Sequence, residues 1–356
     1  MSSVWHQDLA GPGTPYYQAG ALSPEAGELP ERVVASAPAK VILFGEHFVV
    51  YGVPAIVAAI ELRASTTLAL RDDGLVRIKA PDLGLAGSFG PNGSFRPELG
   101  GQGAEEALRP VYMAVNEVRR ALGATVGAEL EVRSSIPIAA GLGSSAAVAV
   151  SASAAMCYAL SGRLDRELVF RTALEAEKLI HVSPSGVDPA ISTHGGLITY
   201  RRGEGIRRLQ LRMPLELVVG DTGLKRSTGA LVSAVRALKD RRPALFERLL
   251  EAAEELVSEA LKALQRGDLD ALGELMNINH GLLSAIGVSN DPLEKLVYAA
   301  RSAGALGAKL TGAGGGGCMI ALVAEGRGPD VARAIERAGG RAFLARLTQE
   351  GVRIEA

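Results

Sequence analysis

The sequence is poor in cysteine and has no excess of charge of either sign. Its 356 residues include 2 cysteines, Cys157 and Cys318. Two cysteines in a chain of this length do not make a disulfide framework, which indicates a reducing compartment. The 38 Lys and Arg residues against 39 Asp and Glu residues leave a net charge of −1. Because no long basic run stands out, binding to nucleic acid or to an anionic membrane is disfavoured.

Long apolar runs are also scarce. Runs such as residues 53–60 are short and end at charged residues, so we expect no segment that spans a membrane. The first thirty residues are rich in Gly, Pro and Ser and lack the apolar core of a signal peptide. These features predict a soluble, cytoplasmic protein.

The chain length predicts two domains. Residues 1–30 have no periodic hydrophobic pattern and are interpreted as an N-terminal extension. The first predicted domain covers residues 31–212, and a change of composition opens the second, residues 213–356, with helices on one face of a sheet. Within the first domain we predict separate strands over residues 33–37 and 41–44 and a Gly/Pro-rich loop over residues 81–103. A helix should follow over residues 104–122, with Pro110 near its start or kinking it.

The strongest local signal is a glycine turn between a predicted strand and a predicted helix, P-I-A-A-G-L-G-S-S-A at residues 137–146. Gly141 and Gly143 have no Cβ, so the backbone can approach a ligand while successive N–H groups point into one concavity. The N-terminus of the following helix adds free amides and a positive dipole end, which together suit phosphate. The alternative is an ordinary glycine turn with Ser144 as a helix N-cap. It is not a Walker A loop, because no lysine follows the last glycine.

Three further features admit both a structural and a functional interpretation. Lys40 lies in an apolar segment, where a charged residue usually pairs or extends its head to solvent. Asp188 precedes Pro189, an arrangement typical of an N-cap followed by the first residue of a helix. The glycine run at residues 312–317 could be a flexible linker, although a linker does not usually separate two tight apolar strands.

The combination of motifs is more specific than any one of them. The segments A-P-A-K-V-I-L-F-G-E-H at residues 37–47, the glycine turn, and K-L-T-G-A-G-G-G-G-C at residues 309–318 occur in that order. Together they resemble the GHMP kinase superfamily, over nearly everything from residue 32 to the end. Residues 181–196 and R-S-T at residues 226–228 are further similar to the mevalonate kinase family.

This resemblance implies an α+β fold of two domains with the active site in the cleft between them. The N-terminal domain would be similar to the second domain of ribosomal protein S5, and the C-terminal domain would be ferredoxin-like. The implied reaction is phosphorylation of the 5-hydroxyl of mevalonate by ATP with Mg²⁺, in the mevalonate route to isoprenoids.

The resemblance also implies a role for each site residue. Asp188 would be the general base, and Lys40 would stabilise its anion and the developing phosphoryl charge. Ser145 and Glu177 would hold Mg²⁺. The ATP phosphates would contact Pro137, Ala140, Gly141, Leu142, Gly143, Ser144, Ser145 and Ala146. The acceptor would contact Glu46, His47, Arg226, Thr228, Gly312, Ala313 and Gly314, with the Arg226 guanidinium facing the substrate carboxylate.

Several alternatives stay open at this stage. Another acceptor within the superfamily, such as phosphomevalonate, homoserine or a sugar, would use the same phosphate chemistry. A diphosphomevalonate decarboxylase also uses ATP, but its family pattern lacks the set formed by Glu46, His47 and Glu177. A catalytically silent member would have no use for a general base. The sequence leaves the oligomeric state open and is compatible with a homodimer.

Overall fold

The computed structural model describes residues 31–101, 103–137, 141–178, 186–210, 214–224 and 228–355. The predicted extension, residues 1–30, and the predicted domain boundary at residues 212 and 213 lie outside them. Within the described residues the strands are β1 (Val33–Phe44), β2 (Ala55–Arg71), β3 (Val76–Ala80), β4 (Leu85–Phe89), β5 (Phe95–Leu99), β6 (Gly127–Ser134), β7 (Leu197–Arg201), β8 (Gly205–Leu209), β9 (Glu216–Asp221), β10 (Gly307–Leu310), β11 (Cys318–Val323), β12 (Arg341–Arg346) and β13 (Arg353–Glu355).

Helices account for most of the remaining described chain. Short 3₁₀ helices cover Phe48–Tyr51 and Pro81–Leu83. The α-helices are α1 (Ala104–Ala121), α2 (Ser144–Ser161), α3 (Arg166–Glu177), α4 (Val187–His194), α5 (Thr228–Arg241), α6 (Pro243–Arg266), α7 (Leu269–Ala285), α8 (Asp291–Ser302) and α9 (Gly328–Arg337).

The larger sheet combines strands from both ends of the described chain. Its order is β13-β1-β2-β6-β3-β4-β5, with β7 paired to β2 and β8 paired to β7. Helices α1 and α3 pack on α2, and α2 packs on β1 and β2. Helix α4 also contacts β1 and β2, where Val187 and Ile191 join a separate apolar cluster with Ala55, Val57 and Ala59.

Helix α2 bears on the expected absence of a membrane span. With 18 residues and a mean hydropathy of 1.3, it is by length and composition apolar enough to cross a membrane. This long run without charged residues was overlooked in the sequence, but the expectation of no segment that spans a membrane stays a prediction. Since 67% of this window is buried inside the fold, α2 has the character of a core helix and is weak evidence for a membrane span.

The second sheet has the order β10-β11-β9-β12, and all its neighbouring strands are antiparallel. In chain order this is 2-3-1-4, the arrangement of a ferredoxin-like domain, and the predicted α+β fold is confirmed. Helices α8 and α9 pack on this sheet, and α7 contacts β10. After β12 the chain crosses to the larger sheet, where the Thr348 N–H donates to the Ala59 carbonyl at 3.0 Å and β13 pairs with β1. The division into domains at residue 213 stays a prediction.

One predicted boundary at the start of the first domain is wrong. The two strands predicted over residues 33–37 and 41–44 are one strand, β1, with a shift of register against β2 between Pro38 and Ala39. Proline has no N–H to donate to a ladder, and the irregularity in pairing accommodates it without ending the strand. The helix predicted over residues 104–122 is α1, and of the two places considered for Pro110 the structure has the one inside the helix; whether it kinks the helix stays a prediction.

The predicted loop over residues 81–103 contains the β4–β5 hairpin. This hairpin is held by aromatic packing, with ring centroids of Phe89 and Phe95 4.8 Å apart and those of Phe89 and Tyr112 4.4 Å apart. The Tyr112 partner comes from α1, so the contact that stabilises the hairpin is not local in sequence.

Candidate active site

The glycine turn leads directly into α2. Helix α2 begins at Ser144, and its N-cap is Gly143, with φ of 75° and no side-chain cap. Ser144 is therefore not the N-cap, and the structural alternative considered for it is wrong. The amide groups of the first helical turn are left for a ligand. Of the predicted phosphate-contacting residues, Ala140 lies outside the described residues.

The turn is packed against β1 at Lys40. The Lys40 N–H donates to the Leu142 carbonyl at 2.9 Å. A Cβ on Gly143 would lie 2.8 Å from Cγ of Lys40 and 3.7 Å from Oδ2 of Asp188. With its positive φ as well, this position favours glycine on both conformational and steric grounds. The glycine turn, Lys40 and Asp188 are thus neighbours.

Asp188 faces Lys40 from the first turn of α4. Nζ of Lys40 lies 3.3 Å from Oδ1 of Asp188, and the two side chains are 9% and 31% exposed. The N-cap of α4 is Gly186, so the capping role considered for Asp188 is wrong. Instead its carboxylate pairs with a nearly buried lysine and remains open to solvent on one side.

Glu177 adds a second carboxyl group to this pair. It is the last residue of α3, and its Oε2 is buried without a hydrogen-bond partner among the described residues. Burial raises the pKa of Glu177 to about 7, the Asp188 charge adds to the rise, and Lys40 opposes it. A carboxylate at a helix C-terminus is also disfavoured by the dipole. Such a group gains from a cation, and Ser145, exposed in the first turn of α2, is the other residue predicted to hold one.

Glu46 occupies a different environment from the one expected of a pocket wall. Its carboxylate forms an ion pair with Nζ of Lys309, and both side chains are 0% exposed. Nδ2 of Asn279 donates to the other Glu46 oxygen at 3.1 Å. The pair joins the segment after β1 to β10 of the second sheet. A contact between Glu46 and an acceptor stays a prediction, whereas the buried pair is observed directly.

His47 and Thr311 make two further contacts across the same junction. His47 has a φ of 57°, the one positive value among the described non-glycine residues, and its Nε2 lies 2.8 Å from the Ala313 carbonyl. The Thr311 hydroxyl accepts from the Ile42 N–H at 3.1 Å and donates to the Ile42 carbonyl at 3.0 Å. Both contacts place the second glycine run beside the end of β1, two residues beyond Lys40.

The second glycine run is a tightly held turn between β10 and β11. The Gly315 N–H donates to the Val288 carbonyl at 2.8 Å. A Cβ on Gly314 would lie 2.0 Å from the same carbonyl oxygen. The flexible linker considered for this run is therefore wrong. Thr228 is exposed at the first residue of α5, and Arg226 lies outside the described residues.

The sequence patterns missed Lys309, Asn279 and Thr311 as contributors to this junction. The available signal was a lysine between Ala308 and Leu310 in a predicted apolar strand, because a buried lysine needs a partner. Nothing in a pattern identified that partner as Glu46, more than two hundred residues away.

The comparisons with known proteins agree with this geometry. The family models "GHMP kinases N terminal domain" and "GHMP kinases C terminal" match residues 109–196 and 260–342. The mevalonate kinase of Pyrococcus horikoshii is 46% identical over 91% of this chain and 98% of its own length. The chain belongs to the mevalonate kinase family.

Solved structures support the same membership. The crystal structure of L. major mevalonate kinase in complex with R-mevalonate matches with a TM-score of 0.75 and 32% identity over 89% of this chain and 96% of that chain. The Methanococcus jannaschii mevalonate kinase matches with a TM-score of 0.76 and 26% identity over 88% of this chain and 98% of that chain. Membership of this family makes the protein an ATP-using phosphotransferase.

Proposed function

We propose that this chain transfers the γ-phosphoryl group of ATP to the 5-hydroxyl of mevalonate, giving 5-phosphomevalonate and ADP. The activity of the relatives supports this reaction. The observation that carries its chemistry is the Lys40–Asp188 pair at 3.3 Å, packed against the glycine turn. Phosphoryl transfer needs positioning and charge stabilisation more than covalent chemistry, and these residues supply both.

The glycine turn is the proposed phosphate site. The uncapped N-terminus of α2 offers backbone N–H donors and a positive dipole end to the ATP phosphates. Gly143 would bring the turn close to Lys40, so the ammonium group would lie near the transferred phosphoryl group. The contacts of Pro137, Gly141, Leu142, Ser144 and Ala146 with ATP belong to this proposal.

Ser145 and Glu177 are the proposed Mg²⁺ ligands. Among the described residues no three His, Cys, Asp or Glu side chains converge on one metal position. Mg²⁺ needs no such cage, because it is commonly held by one or two protein oxygens together with waters and substrate phosphates. The unpartnered Oε2 of Glu177 fits this role. When bound, the ion would neutralise phosphate charge and orient the phosphates.

Asp188 is the proposed general base. As the substrate oxygen forms its bond to the γ-phosphorus and the bond to the β–γ bridging oxygen breaks, Asp188 would accept the hydroxyl proton. Lys40 would hold the carboxylate as an anion and stabilise the charge on the transferred group. ADP leaves with the bridging oxygen.

The acceptor would lie between the two sheets, beside His47, Ala313 and the second glycine run. His47 is already oriented by the Ala313 carbonyl. The proposal retains Glu46, Arg226, Thr228, Gly312 and Gly314 as acceptor contacts. We further propose a cytoplasmic location and a homodimer, the latter to be tested by light scattering of the purified protein.

An ADP-release assay with a panel of acceptors tests this function. Mevalonate, phosphomevalonate, diphosphomevalonate, homoserine and galactose are each supplied with Mg²⁺-ATP, and product masses are determined. We expect turnover on mevalonate and a monophosphate product. Turnover on another acceptor alone would refute the substrate but keep the phosphate chemistry. Release of CO₂ and phosphate from diphosphomevalonate would favour the decarboxylase. No ADP release with any of the five acceptors would favour a non-catalytic role.

A further inference from the structure

A second concave site lies at the far end of α4 from Asp188. It has a volume of about 350 Å³ and is lined by Arg166, His194, Arg208 and the tail residues Gln349, Glu350, Gly351, Val352 and Arg353. Asp188 and His194 lie in the first and last turns of the same eight-residue helix. At ~1.5 Å of rise per residue the two are about 9 Å apart along the helix axis, so this cavity is separate from the proposed catalytic site.

The charge of the lining is predominantly positive. Three guanidinium groups and one imidazole face one carboxylate, that of Glu350. Arg353 lies 2.5 Å from Glu350 and 3.0 Å from Glu355, so its charge is balanced. Among the described residues no carboxylate forms an ion pair with Arg166 or Arg208. Two uncompensated guanidinium groups therefore border the cavity.

Both of these arginines are held by the backbone on either side of the cavity. Nη2 of Arg208 donates to the His194 carbonyl at 2.7 Å, and Nη2 of Arg166 donates to the Val352 carbonyl at 3.3 Å. A guanidinium has five N–H donors in a planar fork, so each retains donors after this bond. Because the two guanidinium groups are held on opposite sides of the cavity, they can together bind an anion that has several acceptor oxygens.

The position of Arg166 in its helix is electrostatically unfavourable for a cation, so a purely structural role does not explain it. It is the first residue of α3, where the helix dipole is positive and disfavours a cation. The two acidic residues that flank Arg166 in sequence do not line the cavity. Asp165 caps the helix by accepting from Glu167 and Leu168 amides, and Glu167 pairs weakly with Arg171 at 3.9 Å.

The His194 side chain, which also lines the cavity, has an unsatisfied polar atom. Its Nε2 is buried and has no hydrogen-bond partner among the described residues. Burial lowers the pKa of His194, and the charges of Arg208 and Arg166 lower it further, so the ring is neutral beside two cations. An anion bound between these arginines would offset the positive electrostatic potential that they create at the imidazole ring.

The walls of the cavity are rigid because two backbone segments cross at close range. A Cβ on Gly351 would lie 2.1 Å from the Thr193 carbonyl oxygen, and one on Gly195 would lie 2.4 Å from the Gly351 nitrogen. The Val352 N–H donates to the Thr193 carbonyl at 3.1 Å. The arginines thus project from a fixed frame, which reduces the entropy lost on binding.

We propose that this cavity is a binding site for a small phosphorylated anion, distinct from the catalytic cleft. Guanidinium forks match phosphate oxygens in a bidentate manner. The volume is at the lower end of small-molecule sites, which suits a phosphate or diphosphate group carrying a small substituent.

The test measures binding of inorganic pyrophosphate by calorimetry, with the catalytic cleft saturated by ADP and Mg²⁺. The test variant is Arg166→Gln with Arg208→Gln. The matched control is Arg171→Gln with Arg207→Gln, which removes the same charge from the same two elements at exposed positions outside the cavity. We expect the test variant to lose at least about tenfold in affinity, because two charge-assisted hydrogen-bonding groups are removed, and the control to match the wild type.

Several results would overturn the proposal. These are no binding by the wild type, equal loss in test and control variants, or citrate binding as tightly as pyrophosphate, which would exclude a phosphate site. As a second readout, the imidazole NMR signals of His194, assigned with His194→Gln, should shift on titration in the wild type and not in the test variant. Because the readout is binding, failure here leaves the proposed kinase activity unaffected.

Discussion

Replacing Lys309 with methionine tests how much the ion pair that joins the two sheets contributes to stability. Both Lys309 and Glu46 are 0% exposed, so Lys309→Met leaves the Glu46 carboxylate buried with Asn279 as its remaining observed partner. Nζ of Lys309 also donates to the Leu310 carbonyl at 2.8 Å, and that bond is lost too. Removing one member of a buried pair costs about 3–5 kcal/mol, a large part of the ~5–15 kcal/mol by which folded proteins are usually stable.

The free energy of unfolding of Lys309→Met is measured by urea denaturation and compared with two controls. Lys262→Met breaks the surface pair with Glu259 and should cost less than about 1 kcal/mol. The double variant Lys309→Met with Glu46→Leu removes both charges and should recover most of the loss, because an apolar replacement of a buried pair is often neutral. A loss of stability below about 1 kcal/mol for Lys309→Met at neutral pH would refute the assignment of a stabilising buried pair.

Three further predictions concern the proposed site. Asp188→Asn should lower kcat by about 10²–10⁴-fold while ATP binding, measured by calorimetry, is retained; wild-type turnover would exclude a general base here. Because burial raises the pKa of Glu177 to about 7, the Mg²⁺ concentration needed for half-maximal activity should rise as the pH falls below 7. The variant Glu177→Gln should need more Mg²⁺ than the wild type at every pH, and its requirement should not change with pH in this way. Gly143→Ala should lower the melting temperature and activity, since its Cβ would lie 2.8 Å from Lys40, whereas Gly101→Ala, whose Cβ would meet nothing within 4 Å, should change neither.

Local patterns in the sequence predict several helix boundaries closely. Asp165 directly precedes a helical hydrophobic pattern, which predicts that it is an N-cap. In the structure it accepts from two backbone amides at the start of α3. The sequence also predicts a helix over residues 269–285, and α7 begins at Leu269 and ends at Ala285. These features depend on residues within a few positions of each other, which a sequence displays directly.

The errors have two causes, a packing partner distant in sequence and a backbone conformation that the residue types do not display. The β4–β5 hairpin was missed since its aromatic partner Tyr112 lies on α1. The roles of Ser144 and Asp188 as N-caps were plausible locally, yet a glycine with a positive φ takes the cap position in both helices. Gly143 lies one residue before Ser144, and Gly186 lies two residues before Asp188. Ser144 is the first residue of α2 and Asp188 is the second residue of α4, so neither side chain caps its helix. Both are available to a ligand, and only the backbone geometry distinguishes this case from a capping role.

The position of Asp188 follows from a match between helix and strand geometry. Four residues after Asp188, the Ser192 hydroxyl donates to the Pro38 carbonyl at 2.9 Å, and Pro38 is two residues before Lys40 on β1. Four residues of helix rise about 6 Å, and two residues of strand cover about 6.6 Å, so one face of α4 contacts both positions at once. Pro38 cannot donate to the ladder, but its carbonyl can accept from α4. The Ser192–Pro38 hydrogen bond therefore fixes the position of α4 along β1, so that the carboxylate of Asp188 lies beside the ammonium group of Lys40.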